Sequence, residues 1–220
     1  EIVMNIEPIG IIHSCFKEKF GIPRQPGLVD AAEATLQLLP PYNRAEAVRG
    51  LEGFSHVWLI FGFHATAEQG WRPTVRPPRL GGNARVGVFA SRSTFRPNPL
   101  GLSVVRLAEI DCSDGVALKL AGVDLLDQTP IFDIKPYLPY ADALPNAEGG
   151  FAPENPESAV TVSFTSSAER QLARLAPERP RLRQLICELL AYDPRPAYRS
   201  DSDASRDYGV KLYDLDVRWR

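Results

Sequence analysis

Along the first 135 residues, apolar and polar positions alternate in short bursts divided by Gly, Pro, Asn and Asp, a period of two that predicts strands rather than helices. The bursts are IEPIGIIHS (6–14), FSHVWLIFGFH (54–64), ARVGVFAS (84–91), LGLSVVRLAEI (100–110), GVALKLAGVDLL (115–126) and TPIFDIKPY (129–137). FSHVWLIFGFH is apolar on both faces, as a strand covered on each side must be, whereas GVALKLAG alternates and keeps one face wet. Open sheet edges invite unwanted pairing, so six or seven such strands predict closure into a barrel. From residue 142 the periodicity gives way to a Pro-, Gly- and acid-rich stretch that reads as a linker. After it, VTVSFT (160–165) predicts a strand, and Ser166 followed by Glu169 gives a capping-box start to a helix over SSAERQLARLA (166–176). In RLRQLICELLAY (181–192), Leu182, Leu185, Ile186, Leu189 and Leu190 form one helical stripe that stops before Pro194. The closing VKLYDLDVRWR (210–220) sets Tyr213, Leu215, Val217 and Trp219 against Asp214, Asp216 and Arg218. The fold class is therefore mainly β: a closed single-sheet barrel in residues 1–145, a linker in 146–158, and a smaller α+β unit in 159–220.

Composition sharpens this picture at one point, the 20 prolines among 220 residues, about twice the usual share and suited to stiff loops. No run nears the roughly 18 to 20 apolar residues of a membrane helix, and EIVMNIEPIG lacks the basic and apolar regions of a secretion signal, so a soluble, cytoplasmic protein is expected. Cys15, Cys112 and Cys187 are far apart, which predicts neither a disulfide framework nor a zinc site. There is no P-loop, no strand-GxGxxG-helix and no nucleophile elbow, and His13, His56 and His64 lack metal-ligand spacing.

Charge is more informative. The net charge is only -2, yet between Glu68 and Glu109 no acidic residue occurs while Arg72, Arg76, Arg79, Arg85, Arg92, Arg96 and Arg106 do. Arginine throughout favours planar, bidentate recognition of phosphate or carboxylate. Within this tract SRSTFRPNPLG (91–101) holds Arg92 and Arg96 on a loop that Pro97 and Pro99 stiffen. Other proline-braced loops are PRQPG (23–27), RPTVRPPRLGGNAR (72–85), DLLDQTP (124–130), DIKPYLPY (133–140) and DPRPAY (193–198). Rigid loops of this kind present charge to a ligand at low entropic cost. The residues leave open a non-catalytic RNA-binding barrel in which these arginines grip the backbone, and a small-molecule or phosphate-ester hydrolase, weakened by the missing metal and nucleophile motifs.

KEKFGIPRQPGLV (17–29), PYNRAEAVRGLEGFSHVWLIFGFH (41–64), GWRPTVRPPRLGGNARVGVFASRSTFRPNPLG (70–101), DIKPYLPYAD (133–142) and DPRPAYR (193–199) together resemble the YaeB/TrmO, or TsaA-like, family of S-adenosylmethionine-dependent tRNA methyltransferases. The resemblance runs from about Gly10 to Trp219. It implies a barrel that binds S-adenosylmethionine without a Rossmann fold, a small C-terminal domain and a homodimer. The implied activity is N6-methylation of N6-threonylcarbamoyladenosine beside the anticodon, so the anticodon stem-loop of tRNA is the expected partner. Carried over onto this chain, the cofactor-binding positions are Pro26, Gly27, Leu28, His64, Ala65, Arg92, Leu102, Gly122, Val123 and Asp124. Ala65 departs from the family, where a more polar residue is common. An N6 nitrogen bearing a carbonyl group is a poor nucleophile until its proton is shared, so a base is expected. Asp133, Lys135, Asp127 and Tyr137 are the candidates, with Asp133 preferred as acceptor and Lys135 holding the substrate's negative group. Asp133 and Lys135 also read as an ordinary exposed pair, and His64 as a barrel-end histidine. Arg72, Arg76, Arg79, Arg85, Arg96 and Arg195 are the expected RNA contacts, and no metal ligand set is expected. The reading requires Arg92 and the PRQPG turn to share one cavity.

Overall fold

The structure is a computed structural model that describes residues 5–156, 160–195 and 206–220. Six antiparallel strands close into a barrel. In chain order they are β1 (Gly10–Ser14), β2 (Glu33–Leu38), β3 (His56–Gly62), β6 (Leu100–Asp111), β7 (Ala117–Ala121) and β8 (Pro130–Pro136), and around the ring they run β1-β2-β7-β6-β3-β8. Between β3 and β6 the chain makes a detached two-stranded ribbon, β4 (Thr74–Val75) with β5 (Val86–Gly87). The alternation of each strand sends one side inward: Ile12, Leu36, Val57, Leu59, Leu118, Leu120 and Ile131 are fully buried.

The ring is completed at a short seam. β1 and β8 share only the pairs Gly10↔Ile131 and Ile11↔Pro130. Beyond them the chain turns at Gln128, whose φ is 65°, and single main-chain bonds continue the closure: Ile12 N–H to Thr129 C=O at 2.9 Å and Gln128 N–H to Ile12 C=O at 2.8 Å. A side chain then takes part, Asp127 Oδ1, which accepts the Ser14 N–H at 2.9 Å and forms an ion pair with Lys17 at 2.7 Å, while the Asp127 N–H returns to the Phe16 carbonyl at 2.8 Å.

After a one-turn helix α1 (Pro139–Asp142), helices α2 (Ser166–Leu175) and α3 (Leu182–Ala191) lead to the hairpin β9 (Tyr208–Leu212) and β10 (Leu215–Trp219). All five stripe residues of α3 are buried and belong to the same continuous core as the barrel. Docking is further fixed by the Phe16↔Leu212 bridge, by Tyr213 N–H to Cys15 C=O at 2.7 Å, and by Arg181 reaching Asp30 at 2.6 Å and Glu33 at 3.0 Å. No helix among the described residues is long and apolar enough to cross a membrane.

Five local expectations are corrected. EATLQL, unpredicted as a strand, is β2: Ala34, Leu36 and Leu38 face inward, but a segment short of β-branched residues carries little strand signal of its own. ARVGVFAS supplies only β5 before turning into a 3₁₀ segment at Val88–Ala90, so it is no barrel strand. VTVSFT has no ladder partner among the described residues; its Val162 and Phe164 pack half-buried on the core instead. The cap of α2 is Thr165, whose Oγ1 accepts the Ala168 N–H at 3.2 Å, while Glu169 turns to a bidentate pair with Arg183 at 2.6 and 2.9 Å. The C-terminal alternation spans two strands, folded at Tyr213, whose φ of 56° is left-handed.

Candidate active site

A cavity of about 680 Å³ opens where the ends of β3 and β6 meet the loops at 22–25, 63–66, 91–96 and 124–126. Its apolar wall follows from strand alternation. β3 turns Val57, Leu59 and Phe61 into the barrel, which leaves Trp58 and Ile60 facing outward onto the cavity beside Leu100 and Leu102 of β6. In the β3–β6 ladder Gly101 stands opposite Phe61, and a Cβ on Gly101 would lie 2.3 Å from the Phe61 ring. That ring is buried and packs edge-on against Phe63 at 5.3 Å, so glycine is needed for the two strands to pair.

Polar chemistry comes from the loops. The PRQPG turn is tied to the loop after β7 by main chain alone: Gly27 N–H donates to Gly122 C=O at 2.8 Å, and both glycines have positive φ. A Cβ on Gly122 would stand 3.3 Å from Gly27 Cα. Two residues on, Asp124 lines the cavity and accepts a 2.8 Å hydrogen bond from the Ser103 hydroxyl, itself 2% exposed. Burial pushes the Asp124 carboxyl up to about 6, against the opposing pull of the Ser103 hydrogen bond and the Arg92 charge. Across from it Arg92 donates to Gln25 Oε1, bringing the SRSTFRPNP loop onto the PRQPG turn. Lys19 donates to the Ala65 carbonyl at 2.6 Å, and Arg24 and Arg96 complete the basic rim. Asp124 is the only carboxylate among the residues that line this cavity.

Of the cofactor positions named from the sequence, His64, Ala65, Arg92, Leu102 and Asp124 line the cavity. Gly27 and Gly122 hold its loops together; Val123 is in the core, Leu28 packs against the core, and Pro26 adjoins the turn without lining it. The structure does not bring Asp133, Lys135 or Tyr137 into the cavity. Asp133 and Lys135 form an exposed 3.2 Å ion pair on β8, in register with Ile60 and Trp58 respectively, so they flank the far side of the apolar wall. The Tyr137 ring lies 6.1 Å from that of Trp58. Asp127 belongs to the barrel seam.

The arginines separate into groups. Arg96 is held by the carbonyls of Ser91 at 2.8 Å and Val88 at 3.3 Å. Arg79 donates to the Glu154 carbonyl, and Arg106 pairs with Asp30 at 3.2 Å. Arg195 is chelated by Asp193 through two 2.6 Å bonds, and residues 196–199 of DPRPAYR lie outside the described residues. Arg72, Arg76 and Arg85 converge on a second, smaller cavity. Trp71 is exposed, and Trp58 is a wall of the cavity. Sequence reasoning missed Lys19, Arg24, Gln25 and Ser103. Arg24 and Gln25 lay inside the PRQPG loop already singled out, and Ser103 left a signal as a hydroxyl at an inward position of an apolar run.

Comparison with known proteins supplies the family. The tRNA-methyltransferase O N-terminal domain profile matches residues 11–143, and the TrmO C-terminal domain profile matches residues 157–220. A tRNA (adenine(37)-N6)-methyltransferase of Escherichia coli (strain K12) is 58% identical over 215 residues, covering 97% of this chain and 92% of that protein. RcsF of Pseudomonas aeruginosa, provisionally named an S-adenosylmethionine-dependent methyltransferase, is 52% identical over 219 residues, covering 98% of this chain and 91% of its own. Among solved structures, a crystal structure of TrmO from Pseudomonas aeruginosa superposes with a TM-score of 0.82 at 45% identity, covering 100% of this chain and 91% of that one.

Proposed function

The chain belongs to the TrmO family of tRNA methyltransferases, and from that premise we propose that it transfers a methyl group from S-adenosylmethionine to N6 of adenosine 37 in tRNA, in its N6-threonylcarbamoyl form. The observation that carries the reading is the cavity at the mouth of the barrel, basic at its rim and holding one half-buried carboxylate. Its 680 Å³ falls within the roughly 300 to 1,000 Å³ of small-molecule sites. The residues present suit the donor: Asp124 offers negative charge to a cation, Trp58, Ile60 and Leu102 offer apolar surface, and the Gly27–Gly122 contact leaves main-chain groups at the turn. When bound, S-adenosylmethionine supplies a methyl group on a sulfonium sulfur that leaves as a neutral thioether.

The protein's share of the work is alignment and the exclusion of water. Loops braced by proline and by the Arg92–Gln25 and Arg96–carbonyl bonds perform it without needing to be ordered first. Asp133 remains the preferred acceptor of the N6 proton, with Lys135 and Tyr137 beside it. Their position one strand beyond the cavity wall, together with the exposed Leu100 and Leu102, supports a homodimer in which a second copy closes the site. The division into a barrel unit, residues 1–145, and an α+β unit, residues 159–220, is supported by the spans of the two family profiles.

The reading is tested by mass spectrometry of nucleosides from threonylcarbamoylated tRNA incubated with the protein and isotopically labelled donor. One labelled methyl on the N6-modified adenosine is expected; label elsewhere or none overturns the activity. In single turnover, Asp133→Asn is expected to slow transfer by about 10² to 10⁴, the usual worth of a general base. An unchanged rate removes Asp133 from that role and leaves the overall reaction standing.

A further inference from the structure

Arg72, Arg76 and Arg85 line a niche of about 340 Å³ together with Thr74, Val75, Ser93 and Phe95. No carboxylate lines it, and none of the three arginines has an ion-pair partner among the described residues, unlike Arg106, Arg181, Arg183 and Arg195. The niche is built and held. The β4–β5 ribbon supplies one side, Arg72 lies 4.2 Å over the Phe95 ring, Arg85 donates to Thr74 Oγ1 at 2.8 Å, and Arg72 N–H bonds the Phe95 carbonyl at 3.2 Å. Three guanidinium groups and a hydroxyl around one void, with no anion of their own to neutralise them, make a receptor for a group with several acceptor oxygens.

The opposite wall is the loop at 92–96, and its side chains alternate. Arg92, Thr94 and Arg96 face the methyl-donor cavity, while Ser93 and Phe95 face the niche. One extended strip of chain therefore separates the two hollows by its own thickness.

We propose that this niche takes one phosphodiester group of the RNA substrate's backbone and so sets the register in which a neighbouring nucleotide reaches the cavity. The inference rests on the reading of the chain as a tRNA methyltransferase. It also divides the acid-free tract by role: Arg72, Arg76 and Arg85 hold RNA, whereas Arg79, Arg96 and Arg106 spend their bonds on the protein itself.

The test is tRNA binding by the full chain across a salt series, comparing the wild type with Arg76→Gln and with the triple variant Arg72→Gln, Arg76→Gln, Arg85→Gln. Loss of one phosphate contact is expected to lower the slope of log K against log salt by about 0.7 to 0.9 and to weaken binding at least tenfold near 150 mM salt. In methylation assays kcat/KM for tRNA is expected to fall at least tenfold, while calorimetric affinity for S-adenosylmethionine stays within twofold, which also shows the variants to be folded. A triple variant with wild-type slope and affinity overturns the proposal. If inorganic phosphate at millimolar concentration raises the melting temperature of the wild type alone, yet the tRNA slope is the same in both proteins, the niche serves a free phosphate ester and its assignment to RNA falls. Failure of the wild type to methylate tRNA is a separate result that bears on the activity, since the salt slope is measured without donor.

Discussion

Asp124→Asn is expected to weaken S-adenosylmethionine binding by about two orders of magnitude and at the same time to make the protein more stable at neutral pH. Both effects come from the same burial. The Asp124 carboxyl is lifted from 3.8 to about 6 chiefly by desolvation. Between those values the folded protein holds a proton that the unfolded chain has released, so stability falls as pH rises from about 4 to about 6 and stays lowered above. Two units correspond to roughly 3 kcal/mol. Asparagine carries no charge to bury and its carbonyl still accepts from Ser103 Oγ, so much of that penalty is relieved, a rise in melting temperature of about 5 to 10 °C for a chain of this size. The donor, being cationic, loses its counter-charge; truncating one member of a desolvated charge pair costs about 2 to 5 kcal/mol. In the wild type, donor affinity is expected to be flat above pH 6 and to drop tenfold per unit below it, whereas the variant is flat throughout. Calorimetry over pH 5 to 8 and thermal melts of both proteins read all of this. An Asn variant that binds the donor like the wild type with the same pH profile removes Asp124 from the site.

Gly101→Val carries the largest expected cost to folding. The added Cβ meets three Phe61 ring carbons, the nearest at 2.3 Å, and the ring is fenced by Phe63 and the barrel interior. Overpacking of this kind costs about 1 to 3 kcal/mol, and the burial of Phe61 puts this position at the upper end. Phe61→Leu alone is expected to cost about 1 kcal/mol, and the double variant to be more stable than the two losses added together, because the smaller side chain opens the space that valine needs. Denaturant melts of the four proteins give the coupling. Strict additivity indicates that the β3–β6 contact is not where the cost arises.

How much of this was legible beforehand varied with the kind of signal. Barrel strands with β-branched or aromatic residues, such as β3 and β6, announce themselves by alternation, and the α3 stripe by its spacing. β2 did not, since Glu33, Thr35 and Gln37 on its outer face and alanine and leucine on its inner face suit a helix equally well. The acid-free tract was visible as charge, but its division into structural and ligand-facing arginines depends on which carbonyls and carboxylates lie near in space. The same limit applies to Ser103 and Asp124, 21 residues apart in the chain and joined only by the barrel. Asp133 and Lys135 stand on the cavity wall's neighbouring strand, a proximity that sequence alone does not distinguish from membership.

The seam between β1 and β8 gives Asp127 a significance unrelated to chemistry on a substrate. Everywhere else the ring is joined by main-chain ladders, which no exchange of side chains abolishes, but here a carboxylate takes one of the closing bonds, beside the main-chain bond from Asp127 N–H to the Phe16 carbonyl. Drift at a single codon can therefore loosen the closure of the cylinder, although the main-chain bonds of the seam outlast it.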